Sequence, residues 1–133
     1  MVKINPYLMV KNGKEAIELY KDLFGAKLMD HLPFAKESAE YFGFPDDFDY
    51  DNSTMHAVLD IGGAMVMLSD NPMGKQGSGN VQVLITYDTK EELKKINEKV
   101  LEKKFTIIMP LEKTFWFEDS NGIGWLLAYS EEQ

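Results

Sequence analysis

Apolar and polar positions change period several times along the chain, and each change marks an element. Ile4, Leu8 and Val10 alternate with Asn5, Tyr7 and Met9, the period-2 pattern of a strand with both faces at least partly covered. Asn12 then offers a helix cap with Glu15 three residues on, and Ala16, Ile17, Tyr20, Leu23 and Phe24 fall at helical spacing before Gly25 closes the helix. Residues 26–33 read as a second strand. Residues 36–53 show no period and carry Asp46, Asp47, Asp49 and Asp51, so they read as a long loop. Residues 56–61 and 64–69 flank Gly62-Gly63 as a hairpin on a two-residue turn.

The Gly- and Pro-rich residues 71–79 are the natural connector. Beyond them the same order recurs: a strand over 81–87, then a helix capped by Asp88 or Thr89 with Glu91 and Glu92 at the partner positions. Its apolar stripe is Leu93, Ile96, Val100 and Leu101. Strands follow over 105–109, 113–119 and 124–129, with Asn121-Gly122 as the last turn. An order that recurs in one short chain predicts two copies of a β-α-β-β-β unit. The expected fold is α+β, one domain over residues 1–133, with module one at about 1–70, a linker at 71–79 and module two at about 80–133.

Composition narrows the function classes. A chain of 133 residues buries roughly two thirds of its unfolded surface and can hold a full core. The absence of cysteine excludes disulfides, thiolate metal sites and a thiol nucleophile, and is compatible with a reducing cytoplasm. A formal charge of -8 argues against binding a phosphate backbone. The lysines at 94, 95, 99, 103 and 104 interleave with glutamates as on a solvated helix face. No signal-peptide pattern or apolar run of about 18 residues appears, so neither export nor a membrane partner is expected.

Several segments together resemble a family. They are Asn5-Pro6-Tyr7-Leu8, Glu15-Ala16-Ile17-Glu18-Leu19-Tyr20 leading to Phe24-Gly25, residues 56–61, Met67-Leu68-Ser69-Asp70, and Pro110-Leu111 with Thr114-Phe115-Trp116. Asp119 with Gly122 and Trp125 completes the set. In this order they resemble the PhnB-like branch of the vicinal oxygen chelate superfamily, which includes glyoxalase I, bleomycin-resistance proteins, fosfomycin-resistance enzymes and extradiol dioxygenases. The resemblance implies paired βαβββ modules, a cup-shaped mixed sheet of the glyoxalase/bleomycin resistance fold, and a homodimer. Only Phe117 and Glu118 separate Trp116 from Asp119, fewer residues than in relatives, so part of a strand or hairpin is expected to be missing.

The superfamily's chemistry rests on a divalent metal held by His or Glu. The resemblance puts Asn5, Met67, Gln82 and Leu126 at those positions, and none supplies a charge to offset the ion's dehydration. No metal or other cofactor is therefore expected. If the sheet curls as the resemblance implies, Tyr7, Met9, Met65, Met67, Gln82 and Trp116 line a ligand pocket, although core packing is the commoner role at methionine-rich positions. His56 and Glu118 are the candidate catalytic groups, an imidazole for acid-base work and a carboxylate that the shortened segment brings inward. The plainer readings are a structural histidine and a surface glutamate. Asp60 shares a strand face with His56 but lies roughly 13 Å along it, too far to pair. Asp119 reads as a turn residue, and His31 as structural or surface. The acidic residues 46–51 lack the glycine and terminal glutamate of a calcium loop, and Phe48 and Tyr50 there suit a lid.

The expected function is binding of a small, mostly apolar molecule by a cytoplasmic homodimer without the usual metal. The alternative is a metal-dependent or acid-base enzyme of the lyase, isomerase or dioxygenase type that works through non-standard residues, with His56 and Glu118 among the ligands in the metal-dependent case.

Overall fold

The computed structural model describes residues 3–72, 74 and 81–130. The chain divides into two compact units, Met1–Lys75 and Gln76–Gln133. Most of the expected connector, residues 73 and 75–80, lies outside the described residues.

The first unit runs β1 (Tyr7–Val10), α1 (Gly13–Phe24), β2 (Lys27–Leu32), a short helix α2 (Ala39–Phe42), β3 (His56–Ile61) and β4 (Ala64–Asp70). Its four strands form one sheet in the order β1-β4-β3-β2, with β1 parallel to β4 and the other pairs antiparallel. Asn12 accepts the Glu15 amide at 3.2 Å and Gly25 ends α1 at φ 66, as its spacing predicts. The apolar stripe of α1 (Ala16, Ile17, Tyr20, Leu23) is buried along with Leu8, Val10, Ala57, Leu59, Val66 and Leu68 of the sheet. Alternate strand residues therefore point away from the helix. Gly62 and Gly63, at φ 61 and 90, make the β3-β4 turn, which calls for left-handed backbone at both positions.

Residues 36–53 depart from the expected structureless loop. They hold two 3-10 turns, Lys36–Ser38 and Tyr50–Asn52, besides α2. Phe48 and Tyr50 pack into a local aromatic cluster: Phe44 stacks on Phe48 at 4.0 Å, and Phe34 meets Phe42, Phe44 and Phe48 edge-on. Rings spaced irregularly along a chain give no period, which is why the pattern of residues concealed this small core.

The second unit repeats the plan with β5 (Gln82–Tyr87), α3 (Lys90–Lys103), β6 (Thr106–Met109), β7 (Thr114–Glu118) and β8 (Gly124–Tyr129). Its sheet order is β5-β8-β7-β6, again with the first pair parallel. Thr89 and Glu92 form a complete capping box at the start of α3. Leu93, Ile96 and Val100 are buried, whereas Leu101 is 55 % exposed and lies outside the apolar stripe expected to include it. Despite the short connection after Trp116, the second sheet has the same four strands in the same order as the first.

Candidate functional site

In the first unit, the face of the sheet turned away from α1 carries most of the expected pocket residues. Tyr7 pairs with Met67, Val58 with the same Met67, and Asp60 with Met65. Met9 follows Tyr7 two residues along β1, so Tyr7, Met9, Met65, Met67 and His56 share this face. Tyr7 and Met9 are 47 % and 41 % exposed, and the others are half-buried.

The centre of the face is a contact that spacing did not reveal. The Tyr7 hydroxyl lies 3.0 Å from His56 Nδ1 and 3.3 Å from the Met55 carbonyl oxygen, and the two rings stack at 5.6 Å. Burial pushes the Tyr7 phenol above its ordinary pKa, so it stays a hydroxyl. His56 therefore has a partner on β1, while Asp60 on its own strand accepts the Gly63 amide at 2.7 Å and serves the hairpin turn. Only the parallel β1-β4 pairing brings Tyr7 and His56 together, and a register between strands so distant in the chain leaves no local signal.

Gln82, Trp116 and Glu118 belong to the second unit, on the face of its sheet turned away from α3. The Trp116 indole N–H donates to Gln82 Oε1 at 2.7 Å. Gly124, beside Gln82 in the ladder, leaves the space that the Gln82 carboxamide occupies, and a Cβ there would collide with it. Glu118 pairs with the same glycine but is exposed. Asp119 is buried and accepts from the Asn121 and Ile123 amides and the Trp125 indole, which fixes it as the organiser of the last turn.

His31 is not an isolated surface residue. Its Nε2 lies 2.9 Å from the buried Thr54 hydroxyl, and with Lys14, Ile17, Glu18 and Leu28 it borders an open groove of about 440 Å³ between α1 and β2. This groove lies on the helix side of the first sheet, because Leu28 and His31 pair with the buried Leu59 and Ala57.

The residues that the resemblance puts at metal positions do not suit a divalent ion. The Gln82 oxygen already takes the Trp116 proton, the Asn5 amide donates to the Met65 carbonyl oxygen at 3.1 Å, and Met67 and Leu126 offer a thioether and a hydrocarbon. Among the described residues, no three His, Asp or Glu side chains are grouped to hold a metal. Hard cations need several oxygen donors with compensating charge, which these four side chains do not supply.

The sequence pattern of the Glyoxalase/Bleomycin resistance protein/Dioxygenase superfamily matches residues 3–125. No curated protein matched the chain. Among solved structures, the chain is similar to a putative 3-demethylubiquinone-9 3-methyltransferase, PhnB protein, from Bacillus cereus. The two are 21 % identical over 97 % of this chain and 100 % of that one, with a TM-score of 0.77. Protein PA1353 from Pseudomonas aeruginosa is 26 % identical over 99 % and 100 % of the two chains, with a TM-score of 0.75. The fosfomycin resistance protein FosX from Listeria monocytogenes shares 12 % identity over 98 % and 92 %, with a TM-score of 0.70. With two β-α-β-β-β units and a family pattern spanning nearly its whole length, the chain belongs to the Glyoxalase/Bleomycin resistance protein/Dioxygenase superfamily.

Proposed function

We propose that this protein binds a small, mostly apolar molecule on the face of the first sheet built by Tyr7, Met9, Met65 and Met67 around His56, without the divalent metal usual in its superfamily. The observation that carries this reading is the composition of that face. It combines flexible thioethers, which adapt to irregular apolar shapes, with one hydrogen-bonded polar pair that can orient a ligand. Gln82 and Trp116 are the corresponding contacts proposed in the second unit, where their mutual hydrogen bond fixes both side chains. A cytoplasmic homodimer fits the absence of cysteine and the apolar side chains left open on the sheets, such as Leu84 at 60 % exposure. No described helix is long and apolar enough to cross a membrane.

The test uses N-phenyl-1-naphthylamine, a neutral fluorescent apolar probe, with titrations of nickel, zinc, manganese and iron(II) in parallel. The probe is expected to bind, and Met67→Glu to weaken it at least tenfold by placing a charge on the face. One ion held stoichiometrically below about a micromolar would overturn the metal-free reading. Sedimentation showing only a 15.2 kDa species at tens of micromolar would contradict the dimer.

The Tyr7–His56 contact also favours a second reading, an acid-base enzyme of the lyase or isomerase type. In that case His56→Ala abolishes turnover of a substrate while leaving its affinity intact. Glu118 is the carboxylate proposed to assist.

A further inference from the structure

We infer that Tyr7 fixes the tautomer of His56 so that the imidazole presents an Nε2–H donor to the ligand, and that the molecule bound on this face is an apolar body carrying a neutral acceptor oxygen, such as a ketone, ester or amide. This inference rests on the binding reading above and gives the ligand its polar chemistry.

The Tyr7 hydroxyl has one proton and two acceptors within reach, the His56 Nδ1 at 3.0 Å and the Met55 carbonyl oxygen at 3.3 Å. The ring nitrogen is the nearer and the stronger acceptor of the two, so it accepts the hydroxyl's hydrogen bond. A neutral imidazole accepts at one nitrogen and donates at the other, which leaves the hydrogen on Nε2. That nitrogen has no partner among the described residues, and it is not sealed from solvent. Stacking of the two rings at 5.6 Å holds the imidazole plane in place, so the free N–H points in a constant direction.

The surroundings favour a neutral acceptor over a carboxylate. Met65, Met67 and Val58 lie beside the pair along β3 and β4, and the one lysine that the strand register puts on this face, Lys27 opposite Asp60, stands four residues along β3 from His56, roughly 13 Å away. Two carboxylates share the face, Asp60 on β3 and Asp30 opposite Val58, each already accepting a backbone amide through one oxygen. An anionic ligand held at His56 would meet the Asp30 carboxylate nearby, with the only lysine of the face at the far end of β3. A ketone or amide oxygen needs only the one donor that Nε2 supplies.

Two measurements on the full chain decide the matter. Nitrogen-15 spectra of the His56 ring give the tautomer without any ligand, and Tyr7→Phe removes the hydroxyl. A proton on Nε2 in the native protein, with a mixture of tautomers in Tyr7→Phe, is the expected result. Titrations of 2-acetylnaphthalene against 2-isopropenylnaphthalene, close in shape but with a methylene in place of the acceptor oxygen, then read the donor. The ketone is expected to bind about tenfold more tightly, with the preference lost in His56→Phe and reduced in Tyr7→Phe. A proton found on Nδ1 overturns the inference alone, as does equal binding of the two naphthalenes. Failure of both probes to bind would instead overturn the binding reading, and the ligand half of the inference with it.

Discussion

The carboxylate of Asp119 accepts the indole N–H of Trp125 at 2.8 Å while its other oxygen takes the backbone amides of Asn121 and Ile123 at 2.8 and 3.2 Å. Three donors converge on one buried side chain at the turn between β7 and β8. Asp119→Ala strands all of them and is expected to cost about 2–4 kcal/mol in urea denaturation. Asp119→Asn keeps an oxygen for the turn but sets an amide N–H against the indole, so it recovers only part of the loss. A change of less than about 0.5 kcal/mol in either variant would leave Asp119 open to a functional role.

Asp70 does similar work in the first unit. Its two oxygens accept the amide of Gly13 at 2.6 Å and of Thr54 at 2.8 Å, which ties the end of β4 to the start of α1. Gly13 sits so close that a Cβ there would lie 2.5–2.8 Å from three side-chain atoms of the buried Thr54. Alanine is the better helix former by about 1 kcal/mol in helix interiors, and less at a first position. Overpacking of about 1–3 kcal/mol outweighs that gain. Gly13→Ala is expected to lower the thermal midpoint, and a rise would contradict the packing described.

Tyr87 is the exception to polar satisfaction: its buried hydroxyl has no hydrogen-bond partner among the described residues. Burial, with a smaller contribution from the Glu92 carboxylate, pushes its pKa from 10.0 to about 12. In the unfolded chain the phenol ionises near its ordinary value while the folded protein still holds the proton. Stability from this group is therefore fully present below pH 10 and declines as pH rises towards 12. Tyr87→Phe removes an unsatisfied group, so it is expected to be neutral or stabilising by about 1 kcal/mol at neutral pH. Urea midpoints of the two proteins measured between about pH 9 and 12 should show the variant gaining on the native chain as pH rises. Parallel curves would contradict the assignment.

The framework of the fold was legible because its signals are local. Asn12 and Thr89 announced their helices, Gly62-Gly63 and Asn121-Gly122 their turns, and the stretch Gly124–Tyr129 its strand to the residue. Leu101 was misplaced because its apolar character fits the edge of a helical stripe, whereas α3 buries only the narrower set of Leu93, Ile96 and Val100. The candidate site was legible as a set of residues but not as an arrangement. Tyr7 and Met67 could be assigned to strand faces one at a time, yet the Tyr7–His56 hydrogen bond depends on a parallel pairing between strands about sixty residues apart. The link from Trp116 to Gln82 is hidden in the same way, with Gly124 making room for it.

Gly124→Ala probes that hidden link. A methyl group there displaces the Gln82 carboxamide and deprives the Trp116 indole of its acceptor. The expected outcome is a change in tryptophan fluorescence with a loss of about 1–3 kcal/mol in stability. An unchanged spectrum would show that Gln82 does not hold the indole.

The most direct test of the central claim is to follow the methionine methyl groups by NMR while the protein is titrated with the neutral probe N-phenyl-1-naphthylamine. Met9, Met65 and Met67 share the proposed binding face, whereas Met29 is 56 % exposed on the edge strand β2, where the β2-β3 register shifts. Saturable shifts at Met9, Met65 and Met67 with Met29 unmoved are the predicted result. Shifts confined to Met29, or none at any of the four, would contradict it.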